Sequence, residues 1–414
     1  MALSSFNLRP VANMLGMALC LAHFLSACGG SGSPDAAQPQ PQTLPVTSGP
    51  VATSHAALSA SLDQLITGFM AAKGVSALSL TVTGKDGQVL HDKGYGYTDA
   101  AQQRSLPADA LMVSASVVKP ITAAAIQQLA AAGRLSLSDH VFCTGRNAPC
   151  WLSADLLSAD TDPRVSDISI AHLMAHQAGW DRRLHNGLDL DHLEAQVQQS
   201  LGLKAPPSSD DDLRYWLRRP LDFAPGTQTA YSSTSYMLLG RVVERASQQD
   251  YVGFVQTYLL KPLGVSATDF KIAHSPLSQR DAREPNYLTG LSAPSIYLPG
   301  KTVSAIDGTL NGSTWVSAVS SLTTARALAL FASRYALQTN ASGVDMAGNG
   351  LPLAGKTQDG FHFGELPGTT SIIRQRASGS SYAVLMNKAE EQASDSYHVA
   401  LMAQIDAALA AAGF

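Results

Sequence analysis

Cysteine and charge are both scarce in this chain. Its 414 residues include 4 cysteines, and 14% of the side chains are charged, 28 Lys plus Arg against 32 Asp plus Glu for a formal net charge of −4. Four scattered cysteines are too few for a structural zinc site. No basic run occurs, and basic and aromatic residues do not interleave, which speaks against a nucleic-acid partner. There is no Gly-x-Ser-x-Gly anywhere, so the serine elbow of an α/β-hydrolase is missing. His-Glu-x-x-His is missing too, and no internal repeat of solenoid length is found. The apolar run from Val11 to Leu25 is short for a membrane span. What remains is a long chain with 45% hydrophobic residues, ample for the core of a globular enzyme.

The N-terminus reads as a signal. Arg9 supplies positive charge, the apolar run follows, and Leu25-Ser26-Ala27-Cys28 precedes a glycine. That segment resembles a bacterial lipoprotein cleavage site, which implies a signal peptide over 1–27 and a lipidated Cys28 tethering the protein to a membrane, with Gly29 resembling outer-membrane sorting. Ordinary secretion without lipid is the alternative. From Cys28 to residue 56 the chain is rich in Gly, Ser, Pro, Gln and Thr and reads as a flexible spacer before a catalytic domain over 57–414. Cys143 and Cys150, with six residues between them, either form a disulfide worth roughly 2.5 kcal/mol in an oxidising compartment or stay as two free thiols.

The most informative pair is Ser116 and Lys119. Three residues is almost one helical turn, so the two side chains face the same way. A serine hydroxyl is a poor nucleophile at neutral pH, and a neighbouring amine can take its proton only when held close and partly desolvated. Of the ten lysines, only Lys119 has a serine three residues before it. A four-letter pattern with two free positions still arises by chance about once in a chain this long. The following stretch, Ile121 to Gly133, is alanine-rich, apolar around most of its circumference and closed by glycine, and it predicts a buried helix. Pro120 belongs in a first turn, which puts Ser116 at the helix N-terminus.

Ser116-Val117-Val118-Lys119-Pro120-Ile121-Thr122 resembles the nucleophile motif of the serine β-lactamase and penicillin-binding-protein superfamily, which includes esterases and D-amino-acid peptidases. Further segments match in chain order. Ala77 to Tyr97 resembles the family's opening hairpin, and Ile168 to Gly179 its helix-and-turn segment. Phe223 to Ser233 resembles the Pro-Gly turn leading to Tyr-x-Asn, and His362-Phe363-Gly364 the Lys/His-x-Gly strand. The resemblance implies that Ser116 is acylated, with Lys119 and Tyr231 sharing its proton. It implies an oxyanion hole from the N–H groups of Ser116 and Glu365, and substrate contacts from Ser233, His362 and Gly364. No cofactor or metal is implied, and the partner is a small-molecule or peptide acyl substrate.

Two positions depart from the family. Ser233 replaces asparagine, which shortens the reach toward a substrate amide, and His362 replaces a lysine that would carry permanent charge. Both shift the expected activity from a true β-lactamase toward an esterase or a D-amino-acid or cell-wall-type peptidase. A non-catalytic sensor of cell-wall fragments is the rival from another class. His172 and His176 beside Leu173 and Met174 read as packed histidines, while His185, Asp189, Asp191 and His192 read as a solvated polar loop. The fold expected is an α/β sandwich. In it an antiparallel sheet drawn from both ends of the domain is flanked by helices, and a mainly helical region over about 117–335 is inserted between its halves.

Overall fold

The computed structural model describes residues 55–145, 147–337, 350–353, 355, 357–389 and 397–414. The signal, Cys28 and all but the last two residues of the spacer lie outside them. Helix α1 (His55–Lys73) repeats apolar residues every three or four positions and buries Leu58, Leu62, Ile66 and Phe69. A hairpin follows, β1 (Ala77–Thr83) and β2 (Val89–Gly96). Then come β3 (Leu111–Val113), α2 (Lys119–Ala131), and a short parallel pair, β4 (His140–Phe142) with β5 (Cys150–Leu152). Here Cys143 is disulfide-bonded to Cys150.

The inserted region continues with α3 (Ile170–Met174), α4 (Glu194–Ser200), α5 (Ser209–Trp216), α6 (Ser233–Ser247) and α7 (Tyr251–Val255). Short strands β6 (Phe270–Ile272), β7 (Ser292–Pro294) and β8 (Thr302–Ser304) precede α8 (Gly312–Trp315), β9 (Ser321–Thr324) and α9 (Ala325–Ala332). Three long strands, β10 (Gly360–Leu366), β11 (Thr369–Gln375) and β12 (Ser381–Met386), and helix α10 (Tyr397–Ala411) complete the order.

The main sheet runs β10-β11-β12-β1-β2, with every neighbour antiparallel. Pairing of β1 with β12 joins the two ends of the domain, as expected of the family, and leaves the helical region between them. Both faces are buried. Along β12, Tyr382, Val384 and Met386 enter the cluster that holds α1 and α10, while Ala383 and Leu385 enter the larger core with α9 and α2. This is the period of two that a strand imposes on side chains. The smaller sheet, β3-β9-β6, holds β3 by one edge, so that the chain leaving Val113 is delivered to Ser116 from a fixed direction.

Inside the helical region two carboxyls meet. Glu194 accepts the indole N–H of Trp315 at 2.9 Å and the backbone N–H of Asn311. Asp212 of α5 lies against it. Burial raises both carboxyls, Asp212 to about 7 and Glu194 well above the ordinary range, so the pair retains a proton at neutral pH. Because the folded value lies above the unfolded one, this stability is fully present below about pH 4 and is lost as pH rises through about 7. An Asp212→Asn variant keeps a donor for Glu194 without needing a proton. Its Tm relative to the wild type is expected to rise by roughly 5 °C between pH 5 and pH 8. A Tm difference independent of pH, read by differential scanning calorimetry, would show that no proton is shared.

Candidate active site

The backbone before Ser116 is pinned on several sides. The Val113 N–H donates to Tyr287 Oη at 2.9 Å, and the Ser114 N–H to the Ser321 carbonyl at 2.8 Å. Ser371 Oγ donates to the Ser114 carbonyl at 2.6 Å. Ala115 then adopts a left-handed backbone, φ +48°, unusual for a residue with a Cβ and costing on the order of 1 kcal/mol or more. A 3-10 turn over Ala115–Val118 carries Ser116 and runs directly into α2, with Pro120 in its first turn.

Three side chains converge there. Lys119 is fully buried, and its Nζ donates to Ser116 Oγ at 3.0 Å and to the Ala318 carbonyl at 2.8 Å. Tyr231 Oη lies 2.8 Å from the same Oγ, although it is 115 residues away in the chain. The Lys119 ammonium also stands 4.9 Å from the centre of the Tyr231 ring. A half-buried alcohol thus touches both an amine and a phenol, through which its proton can move.

Each partner is itself positioned. Ala318 follows Ser317, whose carbonyl accepts from Thr122 Oγ1 at 2.6 Å and whose hydroxyl donates to the Tyr236 carbonyl at 3.0 Å. A Cβ at Gly240 would stand 2.2 Å from Ser317 Oγ, so only glycine lets α6 lie this close to the Ala318 segment. Tyr231 is stacked on His176, ring centres 4.6 Å apart. His176 has a left-handed backbone, and its Nδ1 accepts the Ser232 N–H at 3.1 Å. Nδ1 of His172, one turn earlier, meets the Ser169 N–H at 3.3 Å and caps α3. The two histidines are packed side chains, and among the described residues no group of His, Cys, Asp or Glu is arranged to hold a metal ion.

The opposite wall is β10. A Cβ on Gly364 would fall 2.5 Å from Ser116 N, 2.5 Å from Ser371 Oγ and 2.8 Å from the Ser114 carbonyl, so the strand passes in contact with the nucleophile's backbone. Glu365 follows with its side chain exposed. His362 lies on the same side of β10 as Gly364 and is buried. Ser233 is also buried, at the start of α6.

Of the polar stretch over 185–192, His192 and residues 186–188 are exposed, as expected of a solvated loop, but Asp189 is not. Asp189 is 1% exposed and accepts the Ser233 N–H at 2.6 Å and the Thr234 hydroxyl at 2.5 Å. It thereby seats the first turn of α6, favourable for a carboxylate at a helix N-terminus. Burial alone would raise the Asp191 carboxyl, but the charge and hydrogen bond of His192, the nearby Lys119 and the Ser233 hydroxyl together hold it below the usual range. His192 is raised in turn, chiefly by Asp191. Two carboxyl groups, Asp189 and Asp191, therefore stand behind Ser233. The sequence signal was their spacing, Asp-x-Asp, in a segment otherwise read by composition.

A cavity of about 320 Å³ adjoins these groups, lined mainly by apolar side chains that include Val113, Leu188, Ile306, Leu310 and Leu366, with Asp191 and His192 at one side. A larger cavity, about 500 Å³, is lined by Lys85, Arg334 and Arg376 and shares no residue with the site.

A family model described as Beta-lactamase matches residues 62–407. Esterase EstB of Burkholderia gladioli is 29% identical over 197 residues, 46% of this chain and 46% of its own, so the match spans less than half of that relative. The octameric penicillin-binding protein homologue from Pyrococcus abyssi superposes with a TM-score of 0.57 at 20% identity, covering 83% of this chain and 77% of that one. A Beta-lactamase/D-alanine Carboxypeptidase from Yersinia pestis superposes with a TM-score of 0.58 at 17% identity, covering 85% and 99%. At such identities the structural likeness speaks for the fold.

Gly364→Ala tests the contact between β10 and the nucleophile. The added methyl forces the strand away from Ser116 N, and a displacement of about 1 Å at a reacting centre costs on the order of 100-fold in rate. The variant is expected to retain cooperative unfolding while kcat/KM on a chromogenic ester falls about 100-fold. A variant as active as the wild type would mean that β10 does not border the reacting atoms.

Proposed function

The chain belongs to the Beta-lactamase family, and on that premise we propose that it is a serine hydrolase acting on esters, and on amides less readily, through an acyl-Ser116 intermediate. The observation that carries the proposal is the double hydrogen bonding of Ser116 Oγ, to Lys119 at 3.0 Å and to Tyr231 at 2.8 Å. As Oγ attacks the carbonyl carbon, its proton passes to the Tyr231–Lys119 pair. The N–H groups of Ser116 and Glu365 receive the developing oxyanion, each worth on the order of 3 kcal/mol. Tyr231 returns the proton to the leaving group as the carbon–heteroatom bond breaks. Water, deprotonated by the same pair, then attacks the acyl carbon and frees Ser116.

Ester over amide is favoured by what surrounds the triad. Ser233 offers only a hydroxyl, shorter in reach than an asparagine amide, and no lysine stands at position 362 to hold a β-lactam carboxylate. EstB, a relative by sequence, is named as an esterase. The apolar cavity beside Val113 and Leu366 fits a hydrocarbon portion of the substrate. The signal, the lipid anchor at Cys28 and an outer-membrane location facing the periplasm belong to this proposal, and so does the separation into leader, spacer and catalytic domain.

A fluorophosphonate probe followed by peptide mass spectrometry is expected to label Ser116 in the wild type and nothing in Ser116→Ala. Labelling that persists in the alanine variant would reject the nucleophile. On a chromogenic ester, Tyr231→Phe is expected to lower kcat by a factor of about 10² to 10⁴. Failure of the wild type to turn over any ester, D-alanyl dipeptide or cephalosporin would favour the binding-protein alternative.

A further inference from the structure

A buried chain of side chains runs from the wall of the apolar cavity to the strand that carries the nucleophile. His274 and Ile306 line that cavity from two loops, and the His274 ring joins them. Its Nε2 meets Asp307 Oδ1 at 2.9 Å, and its Nδ1 stands 3.0 Å from Glu284 Oε1. The Glu284 side chain has no exposed surface, and its second oxygen has no hydrogen-bond partner among the described residues. Oε1 also accepts the Tyr287 hydroxyl at 2.8 Å, and that hydroxyl accepts the Val113 N–H at 2.9 Å. Tyr287 thereby reaches the backbone three residues before Ser116. It supports the Glu365 side of the site as well. A Cβ at Gly368 would stand 3.0 Å from Tyr287 Cβ, so the turn that follows Glu365 and joins β10 to β11 rests on this tyrosine. Thr369, where β11 begins, donates from Oγ1 to the Val113 carbonyl at 3.1 Å. Val113 is thus clasped at its N–H by Tyr287 and at its carbonyl by β11.

We propose that His274 is a positioning residue for the oxyanion hole, holding the N–H groups of Ser116 and Glu365 at their working separation through Glu284 and Tyr287. The inference rests on the reading of Ser116 as nucleophile. A buried carboxyl with one bare oxygen is stabilised by an adjacent imidazolium. Without that charge Glu284 has to take up a proton or admit water, and either changes what the Tyr287 hydroxyl bonds to. Burial and Glu284 push the Tyr287 phenol well above its ordinary value, so it stays a donor. Burial alone would lower His274, but the hydrogen bonds of Asp307 and Glu284 raise it to about 9. Arg280 opposes that shift, with Nη2 at 3.3 Å from His274 Nε2 and 2.9 Å from Asp307 Oδ1. The other charges around the ring are paired among themselves, Lys271 with Asp281 at 2.6 Å and, across the apolar cavity, His192 with Asp191 at 2.7 Å. Because the folded value exceeds the ordinary 6.5, the clasp is complete below that pH and loosens as pH rises through about 9.

The test compares the wild type with His274→Gln and Tyr287→Phe on a 4-nitrophenyl ester, corrected for uncatalysed hydrolysis. At pH 7, kcat and kcat/KM are expected to fall together by about 10-fold in both variants, the mark of an interaction made in the transition state and of a shift smaller than 1 Å. The wild-type advantage over His274→Gln is expected to shrink toward unity as pH rises through about 9, Lys119 and Tyr231 being common to both proteins. An advantage that stays constant from about pH 7 to about pH 10 would mean that His274 only stabilises the fold, and would overturn the proposal. So would wild-type kcat in Tyr287→Phe. The clasp is read without turnover by amide hydrogen exchange at Val113, normalised to the intrinsic rate. Exchange about 10-fold faster in both variants at pH 7 supports it, and equal exchange rejects it. The wild type carries the same test alone, should a variant not fold: protection of Val113 is expected to fall as pH passes about 9, and constant protection rejects the clasp. A wild type inert on every ester would sink the hydrolase reading, and the exchange measurement then decides the clasp by itself.

Discussion

A fully buried amine governs the geometry of this protein. Lys119 has no exposed surface, and an ammonium group withdrawn from water costs several kcal/mol unless its hydrogens meet acceptors at close range. Ser116 Oγ and the Ala318 carbonyl meet that demand, so both must be held to within a few tenths of an ångström. Much of the helical region follows from this. Thr122 of α2 grips the carbonyl before Ala318, Gly240 lets α6 approach it, and the small β3-β9-β6 sheet fixes the strands on either side. The nucleophile's exposure and the amine's burial are therefore two consequences of one arrangement.

Electrostatics around the triad are layered. Two cations, Lys119 and Arg182, flank the Tyr231 ring, each 4.9 Å from its centre, and Asp189 and Asp191 lie behind Ser233 at the start of α6. The carboxylates seat the helix that follows Tyr231, while the cations face the ring from which a proton is to leave. Left-handed backbone at Ala115 and at His176 places strain at the two residues that aim Ser116 and Tyr231. Such strain persists only because dense hydrogen bonding around the strand and turn leaves no relaxed alternative.

Much of the architecture was legible from pattern alone. Leu58, Leu62, Ile66 and Phe69 announce α1, and alternation from Ala77 announces the first hairpin. The alanine-rich run after Lys119 announces a helix whose buried face admits no charge except the lysine at its start. Composition misled where burial reversed its usual meaning. Asp189 sits in a polar stretch, but the N-terminus of α6 and the Thr234 hydroxyl offset its desolvation, and nothing local records those partners. His362 and Ser233 are both buried, a feature that strand pleat and helix packing set and motif position does not record.

The sequence by itself determined the adjacency of Ser116 and Lys119, because a spacing of three residues on a helical turn brings two side chains together whatever the rest of the chain does. It also determined the order of strands and helices, since periodicity is a local property. Only the tertiary structure decided that Tyr231 reaches the serine, that Gly364 lies against its backbone and that Arg182 lies over the Tyr231 ring. Those contacts join segments roughly 50 to 250 residues apart, and their geometry depends on how whole layers pack rather than on any interaction within a turn or a strand.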